Sequence, residues 1–229
     1  MGTVLIVDGS DVCRGPIIEF ALQKQFAGEG PLAAETVISR GLEAQNHDLI
    51  CDLAAGRLGQ SMRAATFSVS HRSRPITVED AEQADLILTA ERHHRSAVVR
   101  LSPISRGRTF TLKEALVLTS VLTDEVRTGR SPRPTDLANT VALLDEVRGS
   151  IPLIEPPMQT SVFHRDRALP ASDPLALTDG HEDAALHRHA TDEAYQVALT
   201  LGSRLVDLTE DRMARIGSTP NDWWWRQHA

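Results

Sequence analysis

Aromatic residues make up only 4% of these 229 residues, so the core has to be built from aliphatic side chains. Cysteine is scarcer still. Cys13 and Cys51 are the only two, too few for a disulfide framework and in keeping with reduced thiols in a cytoplasmic protein. Basic charge is not in surplus: Asp and Glu outnumber Lys and Arg by 31 to 24, for a net charge of −7. With no Lys/Arg stripe to displace counterions, a general nucleic-acid partner is excluded. No apolar run approaches the roughly 18 residues of a membrane span, and no basic segment leads into a long apolar one. The expectation is a cytoplasmic chain with neither membrane nor nucleic-acid partner. His and Cys spacings of the H-E-x-x-H kind are also lacking, so neither a metal nor a cofactor is expected.

What is present is an alternation of short β-branched runs with helical periods. Residues 3–7 (TVLIV) read as a buried parallel strand, and a helix follows from Pro16, with Ile17, Phe20, Ala21 and Leu22 on one face. A second strand is predicted at Thr36–Ser39 and a helix over His47–Leu58, closed by Gly59. Thr77 and Asp80 form a capping box before a short helix. Ala84–Thr89 then reads as a strand, Glu91–Leu101 as a helix stopped by Pro103, and residues 108–112 (RTFTL) as a fourth strand. Helices are further predicted from Lys113, over Thr135–Arg148, and over Thr191–Met213. The pattern predicts an α/β fold: a four-stranded parallel sheet with helices on both faces. One domain is expected over residues 1–212, with an inserted helix and long proline-bearing loop over about 129–178. A C-terminal tail, 213–229, carries Trp223, Trp224 and Trp225.

Ligands of such sheets bind outside the carboxyl ends of the strands. Here that place is the loop in "VLIVDGSDVCRGPIIE", residues 4–19. A strand-to-helix loop offers unpaired amides and the positive end of a helix dipole, both suited to a phosphate-like anion. Gly9, Ser10 and Gly15 let the backbone curl closely, Asp11, Val12 and Cys13 complete the loop, and Arg14 supplies a two-pronged donor. Against that chemistry stands Asp8, a carboxylate at the point where the strand meets the anion.

This stretch resembles the opening of the low-molecular-weight protein tyrosine phosphatases and the related arsenate reductases. The family begins with a strand, a cysteine, five residues, an arginine, Ser-Pro and a helix, with a second cysteine just before the arginine. Val4–Val7 match the strand, Cys13 the second cysteine, Arg14 the phosphate-binding arginine, and Pro16 with Glu19 the helix start. "VISRGLEA" is similar to the second strand and its turn. "ADLILTAERHHRSAVVRLSP" with "RTFTLKE" is similar to the third strand, its helix and the fourth strand in actinobacterial-type members. The likeness covers roughly residues 3–115 and the final helix.

The resemblance implies a phosphotyrosine phosphatase acting on a phosphorylated protein, with a small anion as the alternative ligand. It also exposes departures. The nucleophilic cysteine is matched by Asp8, the loop asparagine by Asp11, its glycine by Ser10, and the hydroxyl that aids the thiolate by Gly15. The family chemistry needs a thiolate to attack phosphorus and an aspartate to protonate the leaving oxygen. With carboxylates at 8 and 11 the thiol route is expected to be lost. Three readings stay open: an impaired phosphatase retaining its loop, a non-thiol phosphomonoesterase using Asp8, and a pseudophosphatase that binds a protein or anion. The family's general acid precedes the last helix; Asp173, in Asp-Pro, matches literally, and Asp179 matches better by distance.

Other signals read as ordinary structure. "CDLAAGR", residues 51–57, spells Cys-x5-Arg but falls inside a predicted helix, so Cys51 is expected in the core. His181, His187 and His189 are expected to be solvated loop histidines, and Arg92-His93-His94-Arg95 a charged helix surface.

Overall fold

The computed structural model describes residues 2–28, 30–150, 173–180 and 183–210. The tryptophans at 223–225, His181 and most of the proline-bearing stretch lie outside these.

The four predicted strands are present: β1 (Thr3–Asp8), β2 (Thr36–Gly41), β3 (Leu86–Thr89) and β4 (Thr109–Thr111), in the order β2-β1-β3-β4. All pair in parallel, with Asp8 beside Gly41 at the end of the first ladder. Because side chains alternate along a strand, Val4 and Ile6 enter one apolar layer and Leu5 and Val7 the other. Both layers must be covered by helices, which is why β1 reads as a continuous apolar run.

The first layer is roofed by α1 (Arg14–Phe26), α6 (Leu112–Arg127), α7 (Leu137–Glu146) and α8 (Ala184–Thr209). On α1, Ile17, Ile18 and Leu22 are fully buried, and each such side chain contributes roughly 1.5–3 kcal/mol. α8 lies along α1 and α6. The second layer is covered by α4 (Val78–Gln83), which supplies Ala81, and α5 (Arg92–Leu101), which supplies Val98. Two further helices, α2 (Asp52–Leu58) and α3 (Met62–Ser70), pack on each other, and α2 also lies against α1 and α8.

Local chemistry explains most boundaries. Thr77 and Asp80 form the expected capping box of α4, and Thr111 with Glu114 forms another at α6. Three departures from the sequence reading matter for the site. The helix predicted from His47 begins only at Asp52, because the backbone before it is bonded elsewhere. His47 N donates to Ser73 O and Asp48 N to Ser73 Oγ, each at 3.0 Å, and Cys51 N to Val12 O at 2.8 Å, while just upstream Leu42 N donates to Asp8 O at 2.9 Å and Glu43 N to Gly9 O at 2.8 Å. The final helix starts at Ala184 rather than Thr191, capped by the Asp183 carboxylate on the amides of Ala185 and Leu186. And α3, which the sequence reading did not foresee, is capped by Ser61.

Candidate functional site: a loop folded around its own carboxylate

The 8–15 loop leaves the carboxyl end of β1 and enters α1 at Arg14. It is pinned to its surroundings by the three amides from 42, 43 and 51 and by a 2.8 Å contact between His71 Nε2 and Asp11 O. Gly41 makes this possible, since a Cβ there would come within 2.7 Å of Gly9 O.

Asp8 is 2% exposed and points into the loop. Its Oδ1 accepts from Asp11 N at 2.7 Å and its Oδ2 from Gly15 N at 2.9 Å. A carboxylate at the start of α1 meets amides and a positive dipole end, and such charge-assisted bonds are stronger than neutral ones. Gly15 is fitted to this arrangement: a Cβ there would sit 3.2 Å from Asp8 Cγ and 3.0 Å from Asp11 Oδ1.

Asp11 is fully buried in the left-handed region (φ 58°), a conformation that aspartate tolerates better than most residues. Its Oδ2 accepts from Arg74 N at 3.1 Å. Burial pushes its carboxyl up to about 7; Ser39 and Arg74 pull it down, and the neighbouring Asp8 adds to the rise. Glu19 lies behind it, raised by burial as well, and accepts from Ser39 Oγ at 2.7 Å.

Arg14 is buried and its guanidinium is engaged. Nη1 meets Glu91 Oε1 at 2.8 Å and donates to Thr178 O at 3.1 Å, and Nη2 lies 3.9 Å from Asp179 Oδ1. Asp179 is 58% exposed. Asp173 is elsewhere, with Oδ2 2.7 Å from Arg92 Nε and Oδ1 accepting from Leu175 N. The segment that carries both is strapped down. Leu177 N donates to Ala90 O, Thr111 Oγ1 to Leu175 O, and Thr178 N to Glu193 Oε2 at 2.7 Å.

Four further residues reach this edge and were not selected from sequence as site residues. Glu91 holds Arg14. His94, 2% exposed, faces Gly9, and burial holds its imidazole down to about 3, aided by His93 and Arg14. The charged run around His94 hid it, although its four-residue spacing from buried Val98 was a usable signal. Cys51 is the N-cap of α2, half-buried, with Sγ 2.8 Å from Cys13 Sγ. His187, in the first turn of α8 rather than in a loop, has Nε2 3.7 Å from Cys51 Sγ.

A four-stranded parallel sheet covered by helices on both faces, with a buried arginine where its first loop enters a helix N-terminus, is an open α/β protein with a loop of the anion-binding kind. Residues 3–120 match the model of the low molecular weight phosphotyrosine protein phosphatase family, and the chain belongs to that family. It is 30% identical over 108 residues to the low molecular weight protein-tyrosine-phosphatase Etp of Escherichia coli K12, a match covering 47% of this chain and 67% of Etp. Among solved structures, a mutant of YwlE from Bacillus subtilis superposes with a TM-score of 0.52 at 17% identity, covering 90% of this chain and 99% of that one. The tyrosine phosphatase Wzb from E. coli K30, in complex with phosphate, gives 0.51 at 17% identity, covering 90% and 98%. These structural likenesses establish the fold.

Proposed function

We propose that this protein is a pseudophosphatase: a family member that has given up thiol hydrolysis and keeps the loop as a rigid, self-filled binding element. Asp8 stands in the place of the nucleophilic cysteine. The observation that carries the reading is the pair of bonds from Asp11 N and Gly15 N to the Asp8 carboxylate. Two amides that would otherwise face an incoming anion are satisfied by an anion tethered to the strand.

Magnitudes favour the internal occupant. Near Asp8 a phosphate dianion meets a like charge, and each unit pair at ~4 Å with an effective dielectric near 20 costs roughly 4 kcal/mol; the raised carboxyl of Asp11 adds to this only as the pH climbs through 7. Its natural counter-charge, Arg14, is already held by Glu91 and by Asp179. A phosphorylated protein or a small anion therefore enters the cradle only by displacing Asp8. Asp179, beside Arg14, takes the place of the general acid better than Asp173, which is committed to Arg92.

The test is turnover of p-nitrophenyl phosphate together with inorganic phosphate binding by calorimetry. Wild type is expected to show neither, Asp8→Ala to bind phosphate without turnover, and Asp8→Cys to gain turnover. Wild-type hydrolysis that disappears in Asp8→Ala would establish the carboxylate as a nucleophile and end the pseudophosphatase reading.

A further inference from the structure

Where the loop enters α1, three reactive side chains from distant parts of the chain converge. Cys13 precedes α1, Cys51 precedes α2, and His187 belongs to the first turn of α8. Their ligand-type atoms all lie within 4.8 Å of one another. The two sulfurs are 2.8 Å apart, although 38 residues separate them in sequence. Two thiolates sharing one tetrahedral ion at ~2.3 Å each are spread to roughly 3.8 Å. The observed pair is a full ångström tighter than that, and closing to a covalent bond of about 2.05 Å requires less than an ångström of movement.

The two thiols are also unequal. Cys13 is 2% exposed, whereas Cys51 is half-buried and reached by solvent. The hydrogen bond between the sulfurs holds the proton on Cys13 and lowers Cys51. Burial opposes that lowering, and the Ala54 amide, at 3.4 Å, and His187 reinforce it. An accessible, thiolate-prone sulfur backed by a protonated, buried one is the arrangement of an attacking and a resolving cysteine.

We propose that Cys51 and Cys13 form a reversible thiol–disulfide pair, with Cys51 the site of oxidation by hydrogen peroxide and Cys13 the resolving thiol. In the first step Cys51 Sγ attacks one peroxide oxygen. An S–O bond forms and the O–O bond breaks; sulfur is oxidised by two electrons, and the departing hydroxide takes up a proton to leave as water. In the second step Cys13 Sγ, giving up its proton, attacks Cys51 Sγ. The S–S bond forms, the S–O bond breaks, and the hydroxyl leaves with that proton as a second water. A dithiol reductant restores both thiols by exchange. The bond would weld the 8–15 loop to α2, where Cys51 N already donates to Val12 O. This goes beyond the pseudophosphatase reading and does not depend on whether the cradle accepts phosphate.

The experiment treats the reduced full chain with hydrogen peroxide, alkylates the remaining thiols and maps peptides without reduction. Expected are a peptide pair linked through Cys13 and Cys51, lighter by two hydrogens, and its loss on adding dithiothreitol. Cys13→Ser is expected to halt at a Cys51 sulfenic acid that dimedone captures. His187→Ala is expected to slow oxidation of Cys51 about threefold or more at neutral pH, since thiolate population sets the rate. Sulfinic acid at Cys51 while Cys13 stays alkylatable would overturn the pairing, as would exclusive cross-linking between chains. Stoichiometric zinc retained by the reduced protein, with resistance to peroxide, would overturn it in favour of a cation site.

Discussion

Asp11 gives its amide proton to Asp8 Oδ1 at 2.7 Å while its own carboxyl, fully buried, accepts from the Arg74 amide. Two acids three residues apart thus hold opposite places in one turn, one as the anion the loop wraps and one as the buried support beneath it. The loop conformation depends on the first of these.

Asp8→Asn keeps the shape of the side chain but turns an NH2 group toward one of the two amide donors. One charge-assisted bond is lost and a donor faces a donor, which costs about 1–3 kcal/mol. Urea unfolding followed by circular dichroism is expected to show that loss of stability; an unchanged midpoint would mean that the carboxylate does not organise the loop.

Asp11 gives the protein a pH dependence. Its folded value, about 7, lies above the ordinary 3.8. A raised carboxyl stabilises the fold most fully below its unfolded value, and that contribution fades as the pH climbs through 7. Asn carries no such titration and tolerates the left-handed backbone. Asp11→Asn is therefore expected to match wild type near pH 4 and to exceed it above pH 7 by on the order of 1–4 kcal/mol. Thermal melts across that range check it.

Gly15 reports on the packing around Asp8. Alanine ordinarily favours a helix by up to about 1 kcal/mol over glycine, yet here its methyl would press on Asp8 Cγ at 3.2 Å and Asp11 Oδ1 at 3.0 Å. Gly15→Ala is expected to destabilise wild type by about 1–2 kcal/mol, and by less once Asp8 is alanine. A double-mutant cycle that shows no coupling would remove the carboxylate as the reason for glycine.

The strap that carries Asp179 hangs on Glu193, whose oxygens meet Lys113 Nζ at 2.6 Å and Thr178 N at 2.7 Å. Burial works against the charge, yet Lys113 and the Thr178 amide hold the Glu193 carboxyl below its ordinary 4.5. A lowered carboxyl contributes stability above its unfolded value and loses it as the pH falls further. Glu193→Gln removes the ion pair to Lys113 and is expected to cost about 1–3 kcal/mol at neutral pH, with much of the difference gone in acid. Proteolysis near residue 178 is expected to accelerate in the same variant.

The sequence carried the sheet and the loop because their determinants are local. β1 is a single β-branched run, α4 is announced by Thr77 and Asp80, and the glycines around Arg14 mark a strand-to-helix turn. Cys51, His187 and Glu91 were illegible as site residues for the opposite reason. Cys51 comes to Cys13 because the residues before it bond to Ser73 and its own amide to the loop instead of coiling, and His187 because Asp183 starts α8 two turns early. Glu91 read only as the first residue of a helix, and its partner Arg14 lies 77 positions away in the chain.

The first three turns of α8 make three separate contacts: His187 abuts the Cys51 sulfur, Asp192 pairs with Arg57 of α2, and Glu193 anchors the strap whose Thr178 carbonyl accepts from Arg14. A shove on that one end of the rod would tug at sulfur and guanidinium together. Whatever docks against it could address two chemistries with a single lever.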